Sequence, residues 1–193
     1  RSADTDGDGL SDGAEDKNKY GFTDATETDP LKEDTDGDGL SDGTELGFAS
    51  DGSAISGANN TDPLKADTDG DGLSDSDEDR NKDGVKGAKE TDPTRKDTDG
   101  DGLSDGIESG VKPDGSAIAG ANKTNPLNKD TDGDGIPDGV EDADKDGIHD
   151  ASASDPASGE TDPNDKDTDG DGLVDGWIVD NGDGKVDPVE GED

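Results

Sequence analysis

The string DTDGDG begins at Asp4, Asp34, Asp67, Asp97, Asp130 and Asp167. Asp4, Asp67 and Asp130 stand 63 residues apart, as do Asp34 and Asp97. Repetition on this scale means an array in which each unit packs against its neighbours. Two kinds of unit alternate. One holds two 12-residue segments back to back and then a TDP spacer, as in Asp4–Glu15, Asp16–Glu27 and TDPLKE. The other holds one segment and a 21-residue insert that ends in a similar spacer, LGFASDGSAISGANNTDPLKA or SGVKPDGSAIAGANKTNPLNK. The period predicts one array over 1–193 with units 4–33, 34–66, 67–96, 97–129, 130–166 and 167–193.

Such a chain cannot rely on an apolar core. Leu, Ile, Val and Phe make up 24 of 193 residues, and the formal charge is -39. This profile does not bury enough surface to offset chain entropy. There is no Cys to staple the chain instead. No run approaches the roughly 18 apolar residues of a membrane span. The acidity disfavours nucleic acid and anionic membrane surfaces, so cations are the natural partners. The start at Arg1, without Met or a signal peptide, reads as a mature or excised piece.

Each 12-residue segment fits D-x-[DN]-x-[DN]-G-x5-E or a near variant, with starts at 4, 16, 34, 67, 79, 97, 130, 142, 167 and 179. All ten have Gly at the sixth position and Asp or Asn at the third. Calcium takes six to eight oxygens. In this loop they come from the side chains at positions 1, 3 and 5, the carbonyl at 7, position 9 (often through water) and a bidentate Glu at 12.

The spacing therefore nominates calcium ligands loop by loop. The first pair offers Asp4, Asp6, Asp8, the Leu10 carbonyl, Asp12 and Glu15, then Asp16, Asn18, the Phe22 carbonyl, Asp24 and Glu27. The single loop at 34 offers Asp34, Asp36, Asp38, Leu40, Asp42 and Glu45. The second pair offers Asp67, Asp69, Asp71, Leu73, Asp75 and Glu78, then Asp79, Asn81, Asp83, Val85 and Glu90. The single loop at 97 offers Asp97, Asp99, Asp101, Leu103, Asp105 and Glu108. The third pair offers Asp130, Asp132, Asp134, Ile136, Asp138 and Glu141, then Asp142, Asp144, Asp146, Ile148, Asp150 and Glu160. The last pair offers Asp167, Asp169, Asp171, Leu173 and Asp175, then Asn181, Asp183, the Lys185 carbonyl, Asp187 and Glu190.

The exceptions shape the expectation of about eight to ten ions. Tyr20 replaces a fifth-position ligand, and Gly87 a ninth-position Asp. Ala153 stands at a twelfth position, but Glu160 precedes TDP as Glu27 and Glu90 do, so 153–159 should bulge and Glu160 should close the loop. Ile178 and Val179 weaken the last pair. Two carboxylates 5 Å apart repel by about 3 kcal/mol at an effective dielectric of 20. A loop with four or five of them needs a cation to close, and metal binding then becomes folding free energy.

These are not helix-loop-helix pairs. Asp16 follows Glu15 directly and Asp79 follows Glu78, which leaves no room for an exit helix. With no Met and no 3.6-residue apolar stripe, the chain lacks the means for a calmodulin-like groove. The expected fold has little regular secondary structure. It is an elongated, calcium-stapled tandem array of EF-hand-type loops without flanking helices and without a sizeable hydrophobic core.

DTDGDGLSDG followed by a TDP or TNP spacer, as at Asp34–Gly43 and Thr61–Lys65, resembles the type 3 repeats of thrombospondins, and most closely their cysteine-free bacterial versions. The resemblance implies a backbone wound around a string of calcium ions. It also implies a calcium-stiffened connector in a secreted or cell-envelope protein, extracellular, surface-bound or periplasmic, with neighbouring domains as partners. The absence of the cysteines that tether animal repeats points to a bacterial envelope setting.

The leading expectation is a structural spacer and not an enzyme. An alternative is a calcium-dependent adhesion or recognition module whose inserts, 46–66 and 109–129, touch a cell-surface or matrix partner; another is a calcium store or sensor. The inserts should form short hairpins. The spacer residues Asp29, Asp62, Asp92, Asn125 and Asp162 read as Asx turns or as extra ligands. The seventh-position side chains, with Leu31, Leu64 and Leu127, should form small apolar clusters. His149 lies in a calcium loop without a catalytic partner, and Trp177 reads as packing.

Overall fold

A computed structural model describes residues 3–149, 160–170, 172, 174 and 175. Asp150, Asp171, Leu173, Asn181, Asp183, Lys185, Asp187 and Glu190, the bulge at 153–159 and Trp177 lie outside the described residues.

Regular structure is sparse. Among the described residues, five single-turn helices begin at position 9 of the loops at 4, 34, 67, 97 and 130: α1 Asp12–Glu15, α2 Asp42–Glu45, α3 Asp75–Glu78, α4 Asp105–Ser109 and α5 Asp138–Glu141. One turn is too short to be stable alone, because nucleation costs more than so few bonds return. Capping explains where these turns start. Ser41, Ser74 and Ser104 hold extended backbone, and their hydroxyls accept from the N–H groups of Thr44, Asp77 and Ile107.

The expected hairpins in the inserts reduce to one antiparallel bridge each, Phe48 with Ala54 and Val111 with Ala117. Their tips are Asx turns, with Asp51 and Asp114 accepting from the N–H groups of Ser53 and Ser116. Every spacer adopts the turn reading as well. Asp29, Asp62, Asp92, Asn125 and Asp162 each accept from the N–H two residues on, at 3.0–3.3 Å.

The core inverts the usual pattern. Only Leu10, Leu40, Leu103 and Ile118 are buried hydrophobics among the described residues. The largest fully buried side chains are Glu15, Glu45, Glu78, Glu108 and Glu141. The spacer leucines do not all join the apolar clusters, since Leu31 and Leu127 are exposed. They flank turns whose backbone is held by hydrogen bonds, so nothing forces them inward.

The chain divides into two compact units, 1–96 and 97–193. In the first, the Asp38 carboxylate accepts from the Ser76 N–H and the Asp38 carbonyl from the Ser76 hydroxyl. Lys82 and Lys96 donate to the carbonyls of Gly39 and Gly70. A methyl at Gly43 would run into the Asp8 carbonyl, which fixes glycine at that contact. In the second unit Asp101 accepts from the Gly139 N–H, and Lys145 and Lys129 donate to the carbonyls of Gly102 and Gly100. Each unit is therefore stitched between repeats by polar contacts of the loops themselves.

Candidate metal centres

The loop at Asp34 shows how the sequence builds a site. The Asp34 carboxylate accepts from the N–H groups of Gly37 and Gly39 with its two oxygens. Asp36 Oδ1 accepts from the Asp38 N–H, and Asp38 Oδ1 from the Leu40 N–H. Gly39 holds φ at 106°, a left-handed value that strains any residue with a Cβ. Each carboxylate is thus fixed by backbone, and the three converge. Oxygens of Asp34, Asp36 and Asp38 lie within 4.8 Å of one another, as do those of Asp4, Asp6 and Asp8, of Asp67, Asp69 and Asp71, and of Asp97, Asp99 and Asp101.

The closing glutamates are buried and held by threonines of the spacers. Thr61, Thr124 and Thr161 donate to Oε1 of Glu45, Glu108 and Glu141 at 2.8–3.0 Å. Oε2 of the same three glutamates, and Oδ2 of Asp36, Asp99 and Asp132, are buried with no hydrogen-bond partner among the described residues. Buried oxygens of this kind are costly unless something satisfies them. A hard divalent cation matches an all-oxygen donor set of carboxylates and carbonyls, so these residues fit calcium.

The ninth-position aspartates do something the motif does not predict. Both oxygens of Asp42 accept from Thr35, one from its N–H and one from its hydroxyl, at 2.8 and 2.6 Å. The same clasp joins Thr5 to Asp12, Thr68 to Asp75, Thr98 to Asp105 and Thr131 to Asp138. The clasp places the carboxylate toward a second loop. Asp42 lies with Asp8 and Glu15 in a fully buried group whose oxygens fall within 4.8 Å of one another. The threonine at position 2 was visible in every DTDGDG string, but its role depends on the loop's being closed.

The second loops of the pairs differ. Asp16, Asp79 and Asp142 again bind backbone N–H groups, including those of Gly21, Gly84 and Gly147. Their closing carboxylates, however, bond within the loop: Glu27 accepts from the Asn18 N–H, and Glu90 from those of Asn81 and Gly87. Asn18 donates to Asp24, and Tyr20 points out of its loop. In the third pair, His149 Nδ1 stands 3.8 Å from Asp162 Oδ2.

Burial, and then the like charges opposite, push Glu45 and Glu108 up to about 9, Glu141 to about 8 and Glu15 to about 7. Burial raises Asp36, Asp42 and Asp75 to about 6. Without metal, the folded chain then holds more protons at neutral pH than the unfolded chain. For acids raised in this way, stability is complete below the unfolded value near 4.5 and is lost as pH rises toward about 9. Whatever fold the metal-free chain retains should therefore be greatest near pH 5 and lost by pH 9. Far-ultraviolet dichroism in excess chelator across that range checks the sign; a signal that grew with pH would show that these glutamates are not the groups opposing the metal-free fold.

Repeated loops whose carboxylates are braced by backbone and turned toward one another define a class, the tandem array of acidic, oxygen-lined loops. The particular family follows from comparison. The model of the bacterial TSP3 repeat matches at residues 4–18, 34–46, 67–81, 97–109, 130–145 and 167–177. Six stretches of the chain are thus bacterial TSP3 repeats, a repeat of the calcium-binding thrombospondin type 3 kind. No curated protein and no solved structure matches. Most of each second loop and both inserts fall outside the matched stretches.

Proposed function

We propose that this chain is a calcium-binding structural spacer of a secreted or cell-envelope protein, which stiffens on binding multiple ions and holds neighbouring domains apart. The observation that carries the reading is the row of buried glutamates, Glu45, Glu108 and Glu141, each with one oxygen held by threonine and the other without a partner among the described residues. Calcium supplies the positive charge that lets such carboxylates stay ionised in contact. The residues that hold it are the aspartates at positions 1, 3 and 5 with the closing glutamate, and the carbonyl at position 7 completes the set.

The two inserts support a structural role, because their isoleucines and asparagines are used inside the array. Asn59 and Asn122 donate backbone N–H groups to the carbonyls of Gly84 and Gly147. Among the described residues no helix is long and apolar enough to cross a membrane. TSP3 repeats are typically extracellular, and millimolar calcium there would keep the loops filled.

Small-angle scattering with and without calcium, alongside a count of bound ions, tests the spacer. A disordered chain of this length has a radius of gyration near ~47 Å and a compact globule near ~16 Å. A stiff, extended particle carrying about eight ions in calcium is the expected result. A flexible coil that still binds calcium would reduce the chain to an ion buffer.

A further inference from the structure

Three paired units fall among the described residues and share one surface, which is covered in two of them. In 67–96 and 130–166, the second loop receives the insert of the single-loop unit immediately before it. Asn59 donates its N–H to the Gly84 carbonyl at 2.9 Å, and its side-chain oxygen accepts from the Lys86 N–H at 3.1 Å. Asn122 bonds the Gly147 carbonyl at 2.8 Å. A Cβ on Gly84 would lie 3.0 Å from Thr44 and 3.2 Å from Ile55; one on Gly147 would lie 3.0 Å from both Ile107 and Ile118. The cavity left at each junction is about 10 Å³.

The first paired unit keeps the loop and has no such cover among the described residues. None of them lies within 4 Å of a Cβ built on Gly21. A cavity of about 280 Å³ opens there, lined by Asp16, Gly21, Phe22, Thr28, Pro30 and Leu31. Asp16, Gly21 and Pro30 are the counterparts of residues that line both filled junctions, and Phe22 and Thr28 of residues that line the second. Phe22 stands where Val85 and Ile148 are half-buried, yet it is 65% exposed, beside Tyr20 at 70% and Leu31 at 73%. The Tyr20 and Phe22 rings stack at 5.9 Å. Exposed aromatic surface of this kind is unusual in a chain with two Phe, one Tyr and one Trp.

We propose that this face is a seat for a further single-loop unit of the 34–66 type, placed on the N-terminal side of Asp4. The internal dockings identify the occupant, since the same surface takes the same kind of hairpin twice, each time from the unit just before it. The entry geometry agrees: Asp12 donates its N–H to the Ala3 carbonyl as Asp75 does to Ala66 and Asp138 to Lys129. Charge agrees as well. Residues 46–60 carry one acidic side chain, so a hairpin of that kind approaches this acidic array with little repulsion. The inserts at 46–60 and 109–123 are already engaged and do not compete for the seat.

The test is to append a copy of residues 34–66 directly ahead of Asp4 and follow the chain by NMR in saturating calcium. Amide exchange at Thr23, the counterpart of Lys86, should slow by about tenfold or more. The Phe22 ring should show contacts to the added hairpin's isoleucine, and Ile55→Asp in the added copy should remove both effects. Unchanged exchange at Thr23, with a bound-ion count showing the added loop filled, overturns the proposal. Protection of Thr23 that grows with the concentration of the original chain also overturns it, by giving the seat to a second copy. Should the added unit take up no ion, a peptide of residues 46–60 titrated to about 1 mM onto the original chain decides. Shifts confined to Tyr20–Thr23 and Leu31 support the seat, and none there overturns it.

Discussion

Removing calcium with a chelator is expected to unfold this chain cooperatively, with loss of dispersed amide signals and of the scattering profile seen in calcium. The four buried hydrophobics leave little apolar stabilisation to fall back on. At about 2 kcal/mol for each fully buried aliphatic side chain, they cannot offset the ordering of a chain this long. The buried carboxylates then oppose folding. Asp36, Asp38 and Asp75 all face Glu45, and each ionised pair at 5 Å adds about 3 kcal/mol of repulsion at an effective dielectric of 20. Helices α1 to α5 should vanish together, because each is one turn long and is held by a loop that the metal closes. Near-ultraviolet and far-ultraviolet dichroism during a chelator titration measure this. A chain that kept its amide dispersion in excess chelator would show that the threonine clasps and lysine tethers suffice, and the metal-cored reading would fail.

Glu108→Gln should produce the largest single-residue effect, and opposite signs with and without calcium. In calcium, the change removes one negative charge and one anionic oxygen from a fully buried site. Loss of one partner from a buried charged contact costs about 3 kcal/mol, which is about two orders of magnitude in affinity at that site. Without calcium the direction reverses. Burial with Asp99, Asp101 and Asp105 nearby raises Glu108 to about 9, so at pH 8 the folded metal-free chain must keep a proton there that the unfolded chain releases. The amide has no such penalty and still accepts from the Thr124 hydroxyl, so in excess chelator at pH 8 Glu108→Gln should retain more residual structure than the parent chain. Exposed Glu33 supplies the control, since Glu33→Gln should stay within about 0.5 kcal/mol in both states. Calorimetric calcium titration and far-ultraviolet dichroism in excess chelator at pH 8 read the two arms. Equal effects in the two states would place Glu108 in packing rather than at the metal.

The local design was legible in the sequence because it is written in short-range chemistry. The triads at positions 1, 3 and 5 converge as their spacing requires, since a turn of six residues with glycine sixth leaves the carboxylates few places to go. The scarcity of helix and strand followed from spacers and loops too short for either. The Asx turns at Asp29, Asp62, Asp92, Asn125 and Asp162 followed from an Asx residue directly before proline. In each case the partners lie within a few residues, so composition and order suffice.

What the sequence left open are contacts between segments far apart in the chain. Asp38 and Ser76 are separated by 38 residues, Lys82 and Gly39 by 43. No periodicity within one loop could have turned Asp42 away toward Asp8 and Glu15, or told the closing glutamates, each with a spacer threonine, from Glu27 and Glu90, which bond inside their own loops. The seventh-position residues Leu10, Leu40 and Leu103 were marked as apolar contacts, but Phe22 occupies the same position and lies exposed. The difference is the neighbour that covers it, which is a property of assembly. Sequence by itself determined which carboxylates converge and how each loop turns. Tertiary structure decided which loops share a boundary, because burial depends on what each surface meets.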